Sequence, residues 1–227
     1  MTDDLNALNT LINVNGDNVQ ALEILFLTTM IALLPMMVIM MTCFARFQIS
    51  LSFLRTAMGT QQVPPNLLLT GLALFLTLFT MSPVIDEISA DAYTPYVNEE
   101  ISQTEFLNRA QVPLKRFMLN NMEQSALGMF CDLAGEETPE TVEEGMDLSI
   151  RVITPAFVTG ELRRAFQIGL YLYIPFLLVD IIVASTLMSM GMVMLPPAMI
   201  STPFKLMLFV TLNGWELLFS TLIHTIH

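Results

Sequence analysis

Apolar and polar positions alternate in long blocks. Stretches without charge run from Ile24 to Ala45 and from Leu67 to Ile85, and a polar region then runs to about Gly160. At 1.5 Å per helical residue, each uncharged stretch is long enough to cross a hydrocarbon core of about 30 Å. A last block, Phe166 to Trp215, reads as two apolar arms on either side of a methionine-rich break closed by Pro196 and Pro197. A break too short to hold a domain sets its two arms antiparallel, as a helical hairpin. The pattern predicts an all-α, membrane-associated fold of hydrophobic helical hairpins with kinked helices. Its expected divisions are a polar N-terminal segment at 1–20, a first hairpin at 21–85, an acidic helical insertion at 86–160 and a second hairpin at 161–227.

Within these blocks the prolines mark bends. Pro35 and Pro175 fall inside apolar segments, where the ring removes a backbone donor and frees a carbonyl, so each predicts a kinked helix. The second segment is expected to stop at Pro83. In the polar region Phe106, Ala110, Leu114 and Phe117 recur at helical spacing, with Pro113 expected to break or bend that helix. The run Gly135 to Asp147 has the charge and turn residues of an exposed loop.

The break in the second hairpin carries Met188, Met190, Met192 and Met194 at every second position, with Val193 between the last two. In an extended loop that spacing points the methionines one way, and Gly191 with the proline pair favours a loop there. One reading makes methionine a lipid-compatible filler at a helix end. The sharper one makes Met190, Met192, Val193 and Met194 a soft plug lining a constriction.

Composition narrows the class. The chain has 227 residues, 13% of them charged, and a mean hydropathy of +0.62, too apolar for an ordinary soluble domain. The net charge of −12 is concentrated: Asp86 to Ile150 holds 14 acidic and 3 basic residues. Such a surface repels nucleic acid. Arg46 to Asn66, with Arg46 and Arg55 and no acid, marks a cytoplasmic connection that also holds Gly59, Gln61, Gln62, Pro64 and Pro65. The N-terminus, the insertion and the C-terminus then lie outside, and Cys43 and Cys131 fall on opposite sides, which implies no disulfide framework. Met1 to Gln20 lacks a basic stretch ahead of an apolar core and does not read as a signal peptide.

Asp180 in the first arm and Lys205 in the second are charges in apolar surroundings, each costing on the order of 2.5 to 3.5 kcal/mol at mid-bilayer when unpaired. Glu161 or Asp180 is expected to pair with Lys205, across neighbouring copies of the chain. No enzyme constellation is present: the two histidines, His224 and His227, stand at the very end, and there is no phosphate loop, nucleophile elbow or metal-ligand spacing. No cofactor is implied. A small-solute or ion transporter using Asp180 is the competing reading, since broken helices with a mid-membrane acid occur in transporters. No internal repeat relates the two halves.

Three stretches together resemble one family. LSFLRTAMGTQQVPPN followed by GLALFLTLFTMSPV, then PAFVTGELRRAFQIG, then DIIVASTLMSMGMVMLPP with PFKLMLFV and Gly214–Trp215, look like the FliP family of the bacterial flagellar type III export gate. Related injectisome proteins are similar, with GTQQ and MSPV closer to the flagellar branch. The chain departs from the family at Val193, where a third consecutive methionine is common. The resemblance implies several identical copies, a pentamer, joined to FliQ and FliR in a closed helical or conical gate in the inner membrane at the basal body, with a large extracytoplasmic portion. It implies FlhA and FlhB as further partners, FliO as an assembly factor, and unfolded flagellar proteins as the cargo. It also implies that the hairpins can be tilted above the bilayer rather than lying across membrane lipid.

Overall fold

A computed structural model describes residues 18–226, and the expectation for the extreme N-terminus falls mostly outside them. Ten α-helices and one π-helical turn account for most of these residues, and no strand occurs among them. By contacts the chain divides into a unit ending at Ile39 and one beginning at Met40. Helix α1 (Asn18–Met41), all but its last two residues in the first, is apolar, runs through Pro35, and has Thr28 and Thr29 returning their hydroxyls to the Leu25 carbonyl at 3.0 and 2.7 Å. Such back-bonding satisfies the hydroxyls within the helix itself.

The second unit is built around α2 (Phe44–Ala57) and α8 (Ile150–Ser189), which pack together along much of α2. Phe47, Leu51 and Leu54 recur at spacings of four and three, with Arg46, Ser50 and Ala57 on flanking rows, and all six are buried. The block 46–66 is thus mostly a core helix. Only Met58 to Pro65 forms a connection, and Arg46 lies inside the fold. The amphipathic spacing after Cys43 was the signal, and the 22-residue charge-free run ending at Ala45 obscured it.

Helix α3 (Asn66–Ile88) passes through Pro83, continues as a π-helical turn at Ser89–Tyr93, and ends in the short α4 (Thr94–Val97). The expected stop at Pro83 is not observed. A proline costs roughly 3 kcal/mol in a helix interior, and the helical context on both sides outweighs that here. Pro113 likewise does not break α5 (Gln103–Asn121), within which it is buried just ahead of the buried Phe117 and Met118.

The insertion is completed by α6 (Gln124–Ala134) and the single-turn α7 (Val142–Gly145). It has its own chemistry of helix ends. Ser102 and Thr141 accept hydrogen bonds from the amides of Glu105 and Glu144, and Gly135 closes α6 in the left-handed conformation. Lys115 Nζ donates to the carbonyls of Met146 and Leu148, at 3.1 and 2.8 Å, pinning the acidic run that is otherwise largely exposed. Phe117 meets Phe157 of α8 edge to face at 5.8 Å. Cys131 is buried in this core, and burial, with Glu136 nearby, pushes its thiol above the usual range.

Helix α8 is 40 residues long, about 60 Å, twice what a hydrocarbon core requires. Its first half buries Val152, Ile153, Ala156, Phe157, Gly160 and Glu161, whereas beyond Gly169 only Phe176 and Leu187 are buried. A tight turn leads to α9 (Pro197–Thr211), and α10 (Gly214–His224) follows at a 66° bend. Two helical segments, 66–97 and 150–189, are long and apolar enough to cross a membrane. The broken pairs at Thr42–Cys43 and Leu212–Asn213 raise the number to four if each pair is one span.

Candidate functional site

The second hairpin carries the candidate site at its turn. Helix α8 ends in a Schellman arrangement: the Met192 amide donates to Leu187 O and the Gly191 amide to Met188 O, both at 3.0 Å, with Gly191 at φ +78°. Leu187 is buried and Met192 half-buried, apolar residues at the two positions between which this cap commonly carries a contact. The turn is therefore compact, not extended as the alternating spacing led one to expect, because glycine supplies the left-handed residue that reverses the chain at once. Pro196 and Pro197 then open α9, where a missing amide hydrogen costs nothing. Met190, Val193 and Met194 are left exposed, Met194 almost completely at 96%.

Behind this turn the arms are fastened by a polar cluster. Asp180 of α8 accepts from Ser201 Oγ and from Lys205 Nζ, each at 2.6 Å, and Ser201 and Lys205 stand one turn apart on α9. Lys205 is buried and also donates to the carbonyl of Ala57, the last residue of α2, at 3.1 Å. A cation on a helix's final carbonyls offsets both unmet acceptors and the negative end of its dipole. One ammonium thus holds three helices. Asp180 keeps a third of its side chain exposed.

Glu161 is engaged elsewhere. Arg46 grips it with both edges of the guanidinium, Nε to Oε2 at 2.8 Å and Nη2 to Oε1. Arg46 Nη1 also donates to the Thr225 carbonyl and hydroxyl, at 2.9 and 3.1 Å, so the end of α10 is tied to α2 and α8. Both charged side chains are buried, and the planar fork of arginine suits such a two-point grip. Sequence reasoning did not find this pair. Its signal was the inward row of Cys43, Arg46 and Ser50, small and polar residues on the buried face of α2. Within one chain, then, Lys205 meets Asp180 and Glu161 meets Arg46.

The connection 58–65 lies beside the hairpin. Gly59 adopts φ +76°, and a Cβ there would stand 3.1 Å from Thr202 Oγ1. Arg55 Nη1 donates to the Pro64 carbonyl at 3.4 Å, Gln61 and Gln62 are exposed, and Pro65 precedes α3. Pro175 lines an apolar groove of about 330 Å³ with Phe176, Phe209 and Leu217.

These features define an all-α membrane protein of hydrophobic helices, two of its candidate spans broken, with a capped acidic insertion and a methionine-tipped hairpin. The sequence pattern of the FliP family matches residues 27–222. The chain is 44% identical to the flagellar biosynthetic protein FliP of Bacillus subtilis over 223 residues, which cover 96% of this chain and all of that protein. It is 45% identical to the FliP of Aquifex aeolicus (92% and 87% covered) and 47% identical to that of Pectobacterium carotovorum (89% and 77%). The chain belongs to the FliP family.

Proposed function

We propose that this chain, a membrane component of the flagellar protein export apparatus, is a pore-forming subunit of its gate. The exposure of Met190, Val193 and Met194 at the tip of a firmly braced hairpin carries this reading. Several copies set around one axis would bring these tips together as an apolar gasket. A narrow apolar ring opposes wetting and so resists ions. Methionine suits the task because its flexible thioether re-packs around whatever passes. Unfolded flagellar proteins are the cargo in this reading, and FliQ, FliR, FlhA, FlhB and FliO are the partners, in the bacterial inner membrane with an extracytoplasmic portion at the basal body.

The brace bears on the competing transporter reading. Both oxygens of Asp180 are occupied, by Ser201 and Lys205, as befits a structural pair more than an ion site. Replacing Met192, Val193 and Met194 together by glycine is expected to make cells leaky to small ions while export of flagellar proteins persists. Ion-tight membranes in that variant would overturn the gasket.

A further inference from the structure

Each arm of the second hairpin has a weak point, and the two lie side by side. In α8, Pro175 has no amide hydrogen to give the Tyr171 carbonyl four residues back, so one rung of the helix is missing. In the other arm, α9 ends at Thr211, and the chain turns through 66° into α10. Asn213 at that bend has φ +49°, the left-handed conformation that asparagine accepts more readily than most side chains. Pro175, Leu212 and Gly214 line the same apolar groove of about 330 Å³, which leaves unfilled space beside both breaks. Prolines within helices and residues at helix ends are where hinge motions are absorbed.

Beyond these breaks the arms are tied to each other more firmly than to the rest of the chain. Asp180, Ser201 and Lys205 all lie on the tip side of Pro175 and Asn213, and their hydrogen bonds at 2.6 Å join arm to arm. Of residues 177–208 only Leu187, Ser201 and Lys205 are buried. The seat on the body is narrow: Lys205 Nζ donates to the Ala57 carbonyl at 3.1 Å, and Thr202 lies beside Gly59 in the connection after α2. Lys205 therefore has two duties. An ammonium loses less by leaving a neutral carbonyl than by leaving a carboxylate, so its bond to the body yields before its bond to Asp180.

We propose that residues 176–212 form a hinged arm, which swings as one piece about Pro175 and Asn213 and carries the methionine tip with it. The Lys205–Ala57 contact is the catch that holds the arm closed. The proposal rests on the gate reading above and adds how that gate opens. Because Asp180, Ser201 and Lys205 travel together, the tip keeps its shape while it moves, and what is given up is the bond to Ala57 and the contact of Thr202 with Gly59.

That contact supplies the test. A Cβ at Gly59 would stand 3.1 Å from Thr202 Oγ1, near the spacing between one Cβ and the opposite sulfur in a disulfide, so Gly59→Cys with Thr202→Cys can be bridged in the closed position. Inverted membrane vesicles carrying the complete export apparatus with this chain are oxidised, and uptake of a flagellar subunit is measured before and after reduction, beside wild-type vesicles given the same oxidant. Oxidation is expected to give an internally bridged single chain, to slow uptake by about tenfold or more and to leave the vesicles ion-tight, with reduction restoring uptake to within about twofold. Each chain is its own control, so the strain of a side chain at Gly59 cancels. Should the cysteine pair prevent assembly, Pro175→Ala decides, since it restores the missing helix bond without touching the tip: uptake should fall about threefold with ion-tightness unchanged.

Undiminished uptake through the oxidised, bridged chain would overturn the hinge, as would failure of the pair to oxidise in an assembled chain, a bridge formed between copies instead, or unchanged uptake in Pro175→Ala. Those results leave the gasket standing if glycine at Met192, Val193 and Met194 makes membranes leak. Ion-tight membranes in that glycine variant bring down the gate reading itself, and the hinge with it.

Discussion

The acidic insertion and the second hairpin solve the same problem, a helix end and a helix face that need partners, by opposite means. In the insertion most answers come from residues 86–160 themselves: Ser102, Thr141 and Gly135 close helix ends, Lys115 collects loose carbonyls, and Phe117 packs on Phe157. In the hairpin the few polar groups are held partly from outside it, Glu161 by the distant Arg46, and Lys205 by Asp180 within the hairpin and by the distant Ala57 carbonyl. Its apolar faces are left bare, with Leu170, Tyr171, Ile182, Met199 and Val210 among the most exposed. A water-facing region completes itself, because unmet groups cost too much and local partners are at hand. An apolar region of a membrane protein can leave its surface open, and here the scarce charges hold helices in register.

The contrast can be broken at either pole, and the largest effect is expected at Arg46. Arg46→Met strands the buried Glu161 and frees the end of α10, a loss on the order of 3 to 5 kcal/mol. Most of it should return in Arg46→Met with Glu161→Leu, measured as the thermal unfolding midpoint of the purified protein in detergent. No difference between the single and double variants would mean that the pair does not hold the hairpin. Phe117→Ala should cost about 3 kcal/mol, confined to the insertion. Limited proteolysis should then cut first between 103 and 145 while α8 and α9 stay intact.

Gly191→Ala places a side chain in the left-handed conformation and should cost about 1 to 2 kcal/mol, with the turn loosened and the Asp180–Lys205 brace preserved. Faster hydrogen exchange at Met192 without change at Lys205 would display that split. Ser102→Ala removes a cap worth about 1 kcal/mol, read as fraying of the first turn of α5. The smallest effect concerns Cys131, whose thiol is raised by burial. Because the thiolate is the reactive form, maleimide labelling of the folded insertion should be slow at neutral pH and rise only above the ordinary thiol range. Rapid labelling at neutral pH would show the insertion core to be open.

Much of this was legible in the residues. The charge-free stretches, the helical spacing of Phe106 to Phe117 and the hairpin around Gly191 all followed from periodicity and turn chemistry, which are local. The helix 44–57 was hidden because its buried face includes Arg46 and Ser50, so a core row looked like a polar connection. The proline at 83 misled, and the one at 113 does not break its helix, because their local cost is real and the packing that overrides it is long-range. The partners of Glu161 and Lys205 depend on contacts more than a hundred residues apart, Arg46 and Ala57, which no spacing rule reaches. The methionine turn was found by composition, and its compact shape came from a single glycine.

The central claim is that braced hairpins from several copies bring their methionine tips to one axis. Spin labels at Met194, compared with labels at Phe75 on the exposed face of α3, test it directly in the assembled complex. The account expects short, narrowly distributed distances between copies at position 194 and clearly longer ones at position 75. Distances at 194 as long as those at 75 would contradict it.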